Sequence, residues 1–243
     1  MRISVAQVTL ADSIEAGVAK TLEFIGKAAD DKSDFVCFPE MNLTGYGKQV
    51  LGLPNLKQRI DDAITRIADE CSRLDIGALI GHAYPEHGFL YNRATILSPS
   101  GPVAHYDKMN LVDVEKKFLH PGIMPTLFPL GELTAGVIIC RDQNDPYLAA
   151  TLKEKGAQLL FLPTAHLNDP ETARRKLDKD RGIPITRAVE NEFYVFLANP
   201  VGSHVGLVCI GNSLIADPEG FVIASAGDSE ETLLSVMIPS AGG

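Results

Sequence analysis

Gly136-Val137-Ile138-Ile139-Cys140 is an unbroken apolar run, and Arg141-Asp142-Gln143-Asn144-Asp145-Pro146 follows it at once. A nonpolar β-run without polar alternation reads as a strand covered on both faces. Its abrupt end at a cysteine sets the sulfur at the mouth of a sheet, where a thiolate can meet a substrate. Pro146 suits the first position of a helix reaching Lys155, and Gln158–Leu162 reads as the next strand. This order of strand, turn, helix and strand is the pattern of an α/β protein.

The pattern extends in both directions. Residues 2–10, 34–39 and 76–82 read as strands. Residues 13–30 read as a helix with Ser13 as N-cap, and residues 55–74 as a second amphipathic helix. Tyr91–Leu97 and Val103–Tyr106 flank the turn Ser98-Pro99-Ser100-Gly101, which predicts a hairpin. Residues 131–139 hold the strand that ends at Cys140. A helix within 170–190 is expected to be broken, or preceded by a charged loop, because Gly182 and Pro184 fall inside it. Phe193–Ala198 is a strand. Leu207–Ala216 and Phe221–Ala226 form a second hairpin around Asp217-Pro218-Glu219-Gly220, and Leu233–Ile238 closes the pattern. Mixing βα units with hairpins predicts mixed sheets. No linker or low-complexity stretch divides the chain, so one domain, residues 1–243, is expected, with two sheets face to face and helices outside.

The chain has 243 residues, 45% of them hydrophobic, enough for a sizeable core. The formal net charge of -9 argues against nucleic acid or an anionic membrane as partner. A local basic pocket for an anionic small molecule remains compatible with it. No signal peptide and no apolar run of membrane-spanning length is visible, so a reducing cytoplasm with free thiols is expected. Cys37 and Cys209 lie in apolar runs and read as core residues, and Cys71 reads as structural. Six scattered histidines and irregular cysteine spacings carry no metal-ligand pattern.

Two further strand ends carry chemistry complementary to Cys140. Phe35-Val36-Cys37-Phe38-Pro39-Glu40 ends in a carboxylate, and His105-Tyr106-Asp107-Lys108 ends in an amine. A carboxylate, an amine and a thiol supply a base, an oxyanion stabiliser and a nucleophile. Tyr46, in the loop after Glu40, and His166, after Leu162-Pro163-Thr164-Ala165, are candidates to line the same pocket.

These residues, with several others in order, resemble the nitrilase superfamily of carbon–nitrogen hydrolases. The resemblance runs through Val5-Ala6-Gln7, Phe38-Pro39-Glu40, Tyr91-Asn92 and Asp107-Lys108-Met109-Asn110-Leu111. It continues through Glu115-Lys116-Lys117-Phe118 with Pro121-Gly122, Ile138-Ile139-Cys140, Arg187-Ala188-Val189-Glu190-Asn191 and Ala198-Asn199. It ends with Gly211–Gly220. It implies a four-layer αββα sandwich with two mixed sheets. It implies hydrolysis of a non-peptide C–N bond through a covalent thioester, with a small-molecule amide as partner. A homodimer or higher homo-oligomer is implied, without metal or cofactor. On this mapping Glu40 is the general base, Lys108 the oxyanion stabiliser, Cys140 the nucleophile and Glu115 a second, positioning carboxylate.

The chain also departs from the family. Arg141 follows the cysteine directly, Asp142 is kept, and Asn144 stands where an arginine is usual in some amidase-like branches. The Trp-Glu pair of the nitrilases proper is missing, and the chain contains no Trp, which points to amides or N-carbamoyl compounds rather than nitriles. Arg141 is the candidate substrate-binding arginine, with Arg174 or Arg175 as substitutes. The sequence ends soon after Met237-Ile238-Pro239, so the tail exchange of longer relatives is not expected. Specificity is expected in the loops near 42–54, 113–123, 141–147 and 164–184. Two other functions share these features: acyl transfer from the same thioester, and a catalytically silent binding protein.

Overall fold

The computed structural model describes residues 1–239. The first half runs β1 (Arg2–Gln7), α1 (Ile14–Asp30), β2 (Phe35–Cys37), α2 (Lys48–Leu51), α3 (Leu56–Leu74), β3 (Gly77–Glu86), β4 (Phe89–Ser98) and β5 (Gly101–Asp107). The second runs β6 (Thr126–Leu130), β7 (Leu133–Val137), α4 (Pro146–Glu154), β8 (Leu159–Pro163), α5 (Pro170–Asn191) and β9 (Tyr194–Ala198). It ends with β10 (Val201–His204), β11 (Leu207–Ile210), β12 (Leu214–Ala216), β13 (Val222–Ser225) and β14 (Thr232–Met237).

Two six-stranded mixed sheets result, ordered β14-β1-β2-β3-β4-β5 and β13-β12-β9-β8-β7-β6. Strands β1, β2 and β3 are parallel, as are β7, β8 and β9, and hairpin strands flank each trio. Strand alternation sorts the side chains. Ile3, Val5, Phe35 and Cys37 face inward, where they meet Val137, Ile139, Leu159 and Phe161 of the other sheet. Phe35 and Phe161 lie 5.0 Å apart across this interface. Their neighbours Ala6, Val36 and Phe38 face outward and pack under α1 and α3. Ile138, Leu160 and Leu162 do the same under α4 and α5. Both faces of the central strands are buried, so their runs carry no polar alternation. The expected αββα sandwich is what forms.

Four expectations change in detail. Residues 170–191 form one continuous helix despite Gly182 and Pro184. Asp169 caps it by accepting from the Thr172 N–H, and buried Pro184, Arg187 and Ala188 anchor its last turns, so packing overrides the local breakers. Leu207–Ala216 is two strands, because Gly211 and Asn212 both adopt left-handed backbone (φ 53 and 60) and end the pairing. Strand β10, not expected, pairs with β11 as a separate two-stranded ribbon. Strand β6 was also not expected; it carries Pro129 and lies on a sheet edge, where proline is tolerated. Among the described residues, no helix is long and apolar enough to cross a membrane.

Candidate active site

Strands β2, β5, β7 and β8 all point their C-terminal ends to the same end of the sandwich, the usual place for a site in sheets with parallel strands. Glu40 leaves β2 through a tight turn. Gly81 makes that turn possible: a Cβ there would sit 2.5 Å from the Pro39 carbonyl oxygen and 2.6 Å from the Met41 nitrogen. The Glu40 N–H donates to the Thr164 carbonyl at 3.2 Å and so ties the first sheet to the end of β8. Lys108 leaves β5. Gly122 closes over it, its N–H donating to the Lys108 carbonyl at 2.9 Å; a side chain there would strike Asp107 O at 2.1 Å.

The three charged groups meet almost fully buried. Glu40, Lys108 and Glu115 are 1%, 1% and 2% exposed. The Lys108 Nζ donates to Glu40 Oε1 at 2.7 Å and to Glu115 Oε1 at 2.9 Å. Asn92 Nδ2 donates to Glu40 Oε1 at 2.7 Å and shares its second proton between Glu115 Oε1 and the Tyr46 oxygen, each at 3.3 Å. Tyr46 Oη donates to Glu115 Oε1 at 3.2 Å, and the Val112 N–H to Glu115 Oε2 at 2.9 Å. Burial alone would lower the Lys108 pKa, but Glu40, with Glu115, outweighs it and holds the ammonium well above its ordinary value. Desolvation, reinforced by the flanking carboxylates, pushes the Tyr46 phenol up, so it stays a neutral donor. Glu40 Oε2 is buried and has no hydrogen-bond partner among the described residues; Asn92 Oδ1 and Gln143 Oε1 share that state, but only Glu40 Oε2 is a carboxylate oxygen. That oxygen is free to accept a hydrogen bond from a group entering the site.

Cys140 sits across from this cluster, on the second sheet. Its φ is +48, the left-handed region, which costs an ordinary residue about 1 kcal/mol or more. The turn at Cys140–Asn144 swings the chain away from β7 and leaves the thiol partly exposed. Burial, reinforced by Glu40, pushes the thiol pKa well above its ordinary value, while Lys108 and the Ala165 backbone pull it down. The resting group is therefore a thiol that needs a base.

Asp142 fixes that turn. Its carboxylate accepts from the Ile139 N–H at 3.0 Å, the Asn110 N–H at 2.6 Å and the Tyr106 hydroxyl at 2.8 Å. It thereby joins the nucleophile turn to the segment around Lys108. Burial pushes its pKa up to about 6 against the opposing pull of those hydrogen bonds. Arg187 of α5 holds the turn from the other side, its Nε donating to the Gln143 carbonyl at 3.0 Å.

A cleft of about 630 Å³ brings Glu40, Tyr46, Lys108, Glu115, Cys140, Arg141 and His166 together. Seven of the nine candidate site residues read from the sequence thus share one pocket. Arg141 stands exposed at its rim. His166 lies inside, its Nδ1 3.6 Å from Asp180 and its Nε2 3.3 Å from the Gln143 amide, and burial lowers its pKa. Arg174 and Arg175 are exposed on α5 and do not line the cleft, so they do not substitute for Arg141. Three residues were not assigned a role from sequence: Asn92, Asp142 and His204. His204, on β10, accepts the Tyr46 N–H on Nε2 at 2.8 Å, and the adjoining turn of that ribbon adds Val205 and Leu207 to the cleft wall. Among the described residues no cluster of three His, Cys, Asp or Glu could hold a metal ion.

The family model for carbon-nitrogen hydrolase matches residues 2–242. The chain belongs to the carbon–nitrogen hydrolase family. A nitrilase of Pyrococcus abyssi is 33% identical to this family member over 217 residues, covering 88% of this chain and 79% of that protein. The omega-amidase of Homo sapiens is 30% identical over 251 residues, covering 96% and 87%. The crystal structure of an amidase from Nesterenkonia sp. superposes with a TM-score of 0.89 at 25% identity, over 98% of this chain and 90% of that one. The protein is accordingly a carbon–nitrogen hydrolase of the nitrilase superfamily, acting on C–N bonds other than peptide bonds.

Proposed function

We propose that the protein hydrolyses a small linear amide or N-carbamoyl compound through a Cys140 thioester, releasing ammonia or an amine. The observation that carries this reading is the unpartnered, buried Glu40 Oε2 in the same cleft as the Cys140 thiol. Glu40 takes the thiol proton as the sulfur attacks the substrate carbonyl. Charge develops on the carbonyl oxygen, where the Lys108 ammonium and the Arg141 backbone N–H stabilise it. Glu40 returns its proton to the leaving nitrogen as the C–N bond breaks. It next removes a proton from water, which attacks the thioester carbonyl. The C–S bond breaks, the sulfur recovers a proton, and a carboxylic acid departs.

Glu115 keeps Lys108 in register, and Tyr46 keeps Glu115 in register. Lys108 cannot swing away without stranding two buried carboxylates, so it waits where charge will appear. Tyr46, Arg141 and His166 are the groups offered to the substrate. The reading further includes a single domain, a homodimer or higher homo-oligomer, a cytoplasmic location, and no role for nucleic acid, membrane or cofactor. The human relative's name, omega-amidase, supports an amide substrate. The test is ammonia release from a panel of small amides, N-carbamoyl amino acids and nitriles, with Glu40→Gln and Cys140→Ala alongside. Turnover of amides or carbamoyl compounds that both substitutions abolish supports the proposal. Turnover of nitriles alone, or activity that survives Cys140→Ala, contradicts it.

A further inference from the structure

Among the described residues, four buried side-chain polar atoms have no hydrogen-bond partner: Glu40 Oε2, Asn92 Oδ1, Gln143 Oε1 and His204 Nδ1. Of these four residues, Glu40 and Gln143 line the cleft. Glu40 Oε2 has its use in the proton transfers above, whereas Gln143 Oε1 has none in that chemistry. Gln143 is 2% exposed and belongs to the same turn as Cys140. Helix α5 supports it at both ends. Arg187 Nε donates to its main-chain carbonyl at 3.0 Å. About two turns earlier on that helix, Asp180 lies 3.6 Å from His166 Nδ1, and His166 Nε2 lies 3.3 Å from Gln143 Nε2. Burial lowers the His166 pKa and so favours the neutral ring. The carboxylate beside Nδ1 favours the tautomer that carries its proton there. Nε2 is then a lone pair, and it accepts from the Gln143 amide N–H. That bond decides which end of the amide is left over: the oxygen, an acceptor, rather than the nitrogen.

A buried acceptor without a donor is unfavourable until something supplies one. Resting on the amide-hydrolase reading above, we propose that Gln143 Oε1 selects substrates whose acyl part carries a hydrogen-bond donor, a hydroxyl or an N–H, near the scissile carbonyl. Asp180 acts through His166, and His166 through its bond to Gln143, so both position the amide. The subsite reads a neutral donor and needs no ion pair. An acyl chain that lacks the donor leaves the oxygen unpaired, and sites built around such a hydrogen bond discriminate strongly against the analogue without it.

Steady-state kinetics on 2-, 3- and 4-hydroxybutyramide test this, with butyramide as the chain without a donor and 3-oxobutyramide as the chain with only an acceptor. The enzymes are the wild type, Gln143→Met, Gln143→Leu and His166→Phe. In the wild type at least one hydroxy amide is expected to exceed butyramide in kcat/KM by about tenfold or more, the worth of one hydrogen bond formed away from water. Gln143→Met and Gln143→Leu should bring it down to the level of butyramide. His166→Phe should weaken the preference, because the amide is then free to turn either end inward. Added salt should leave the preference unchanged, since no charge is read. Equal kcat/KM on butyramide and all three hydroxy amides in the wild type overturns the proposal. So does a preference that survives in both Gln143 variants, or one that favours 3-oxobutyramide over the hydroxy amides. If no amide is hydrolysed, the amide reading fails, and calorimetry on Cys140→Ala enzyme judges the subsite separately. A hydroxy amide should then bind more tightly than butyramide, and lose that advantage with Gln143→Met added. Equal binding, or none by any of the amides, overturns the subsite.

Discussion

The two sheets contribute opposite things to the site. The first supplies charge: Glu40 and Lys108, at most 1% exposed, with Glu115 from the segment after β5, and each of the three meets at least two hydrogen-bond partners. The second supplies Cys140, partly exposed, on left-handed backbone, and held in place through its neighbour Asp142. The difference follows from what each side must do. Charges stabilise a transition state best where water is excluded and nothing must reorganise. A nucleophile must be reached by substrate, so it stands on a turn at a strand end and accepts some strain to do so.

The largest effects should come from removing either side. Cys140→Ala is expected to lower kcat by about ten-thousandfold or more while the fold is kept, because only the nucleophile is lost. Lys108→Met should do similar damage to the rate and also destabilise the protein by roughly 3–5 kcal/mol, since two carboxylates stay buried without a cation. Thermal unfolding of the two variants separates these outcomes. An equal fall in stability for both would break the contrast between the two sides.

Asp142 is next. Asp142→Ala strands the Ile139 and Asn110 N–H groups and the Tyr106 hydroxyl, and is expected to remove about 2–4 kcal/mol of stability, read by denaturant unfolding, as well as most activity. Its titration has an unusual sign. The folded pKa, about 6, lies above the unfolded value of 3.8, so the folded state binds the proton more tightly. Asp142 therefore contributes most at low pH, and this contribution is lost as pH rises from about 4 through about 6. The stability difference between wild type and Asp142→Asn should decline across that window. A difference that grows with pH would contradict the assignment of burial as the dominant cause.

Smaller effects should come from the supports. Tyr46→Phe removes the phenol that donates to Glu115 and is expected to lower kcat by about tenfold, with little change in stability. His204 acts one step further out, and its effect should be the smallest. His204→Gln keeps an acceptor for the Tyr46 N–H, whereas His204→Phe leaves it without one, at a cost of about 1 kcal/mol. Near-wild-type kcat for the first and a few-fold loss for the second would show that the hydrogen bond, rather than ring packing, carries the role.

What the sequence made legible was what local pattern encodes. The three strand ends bearing Glu40, Lys108 and Cys140 announce themselves, because each joins an apolar run to a reactive side chain. The segments 42–54, 113–123, 141–147 and 164–184, expected as loops, all reach the cleft, although 170–184 belongs to α5. The rest depended on long-range pairing. Asp142 is conspicuous in the chain, but its acceptor role needs Asn110 and Tyr106, 32 and 36 residues away. His204 meets Tyr46 across 158 residues, which no local pattern records. Strand β6, with its Pro129, was not read from the sequence, and α5 was expected to break at Gly182 and Pro184. In each case a tertiary setting tolerates a residue that would break an isolated element.

The central claim is that the two sides meet in a covalent intermediate on Cys140. Intact-protein mass spectrometry during amide turnover tests it most directly. A transient mass increase equal to the acyl group, located on the Cys140 peptide and lost in Cys140→Ala, is the predicted result. Steady ammonia release with no adduct on rapid quenching, or an adduct that persists in Cys140→Ala, would contradict the account.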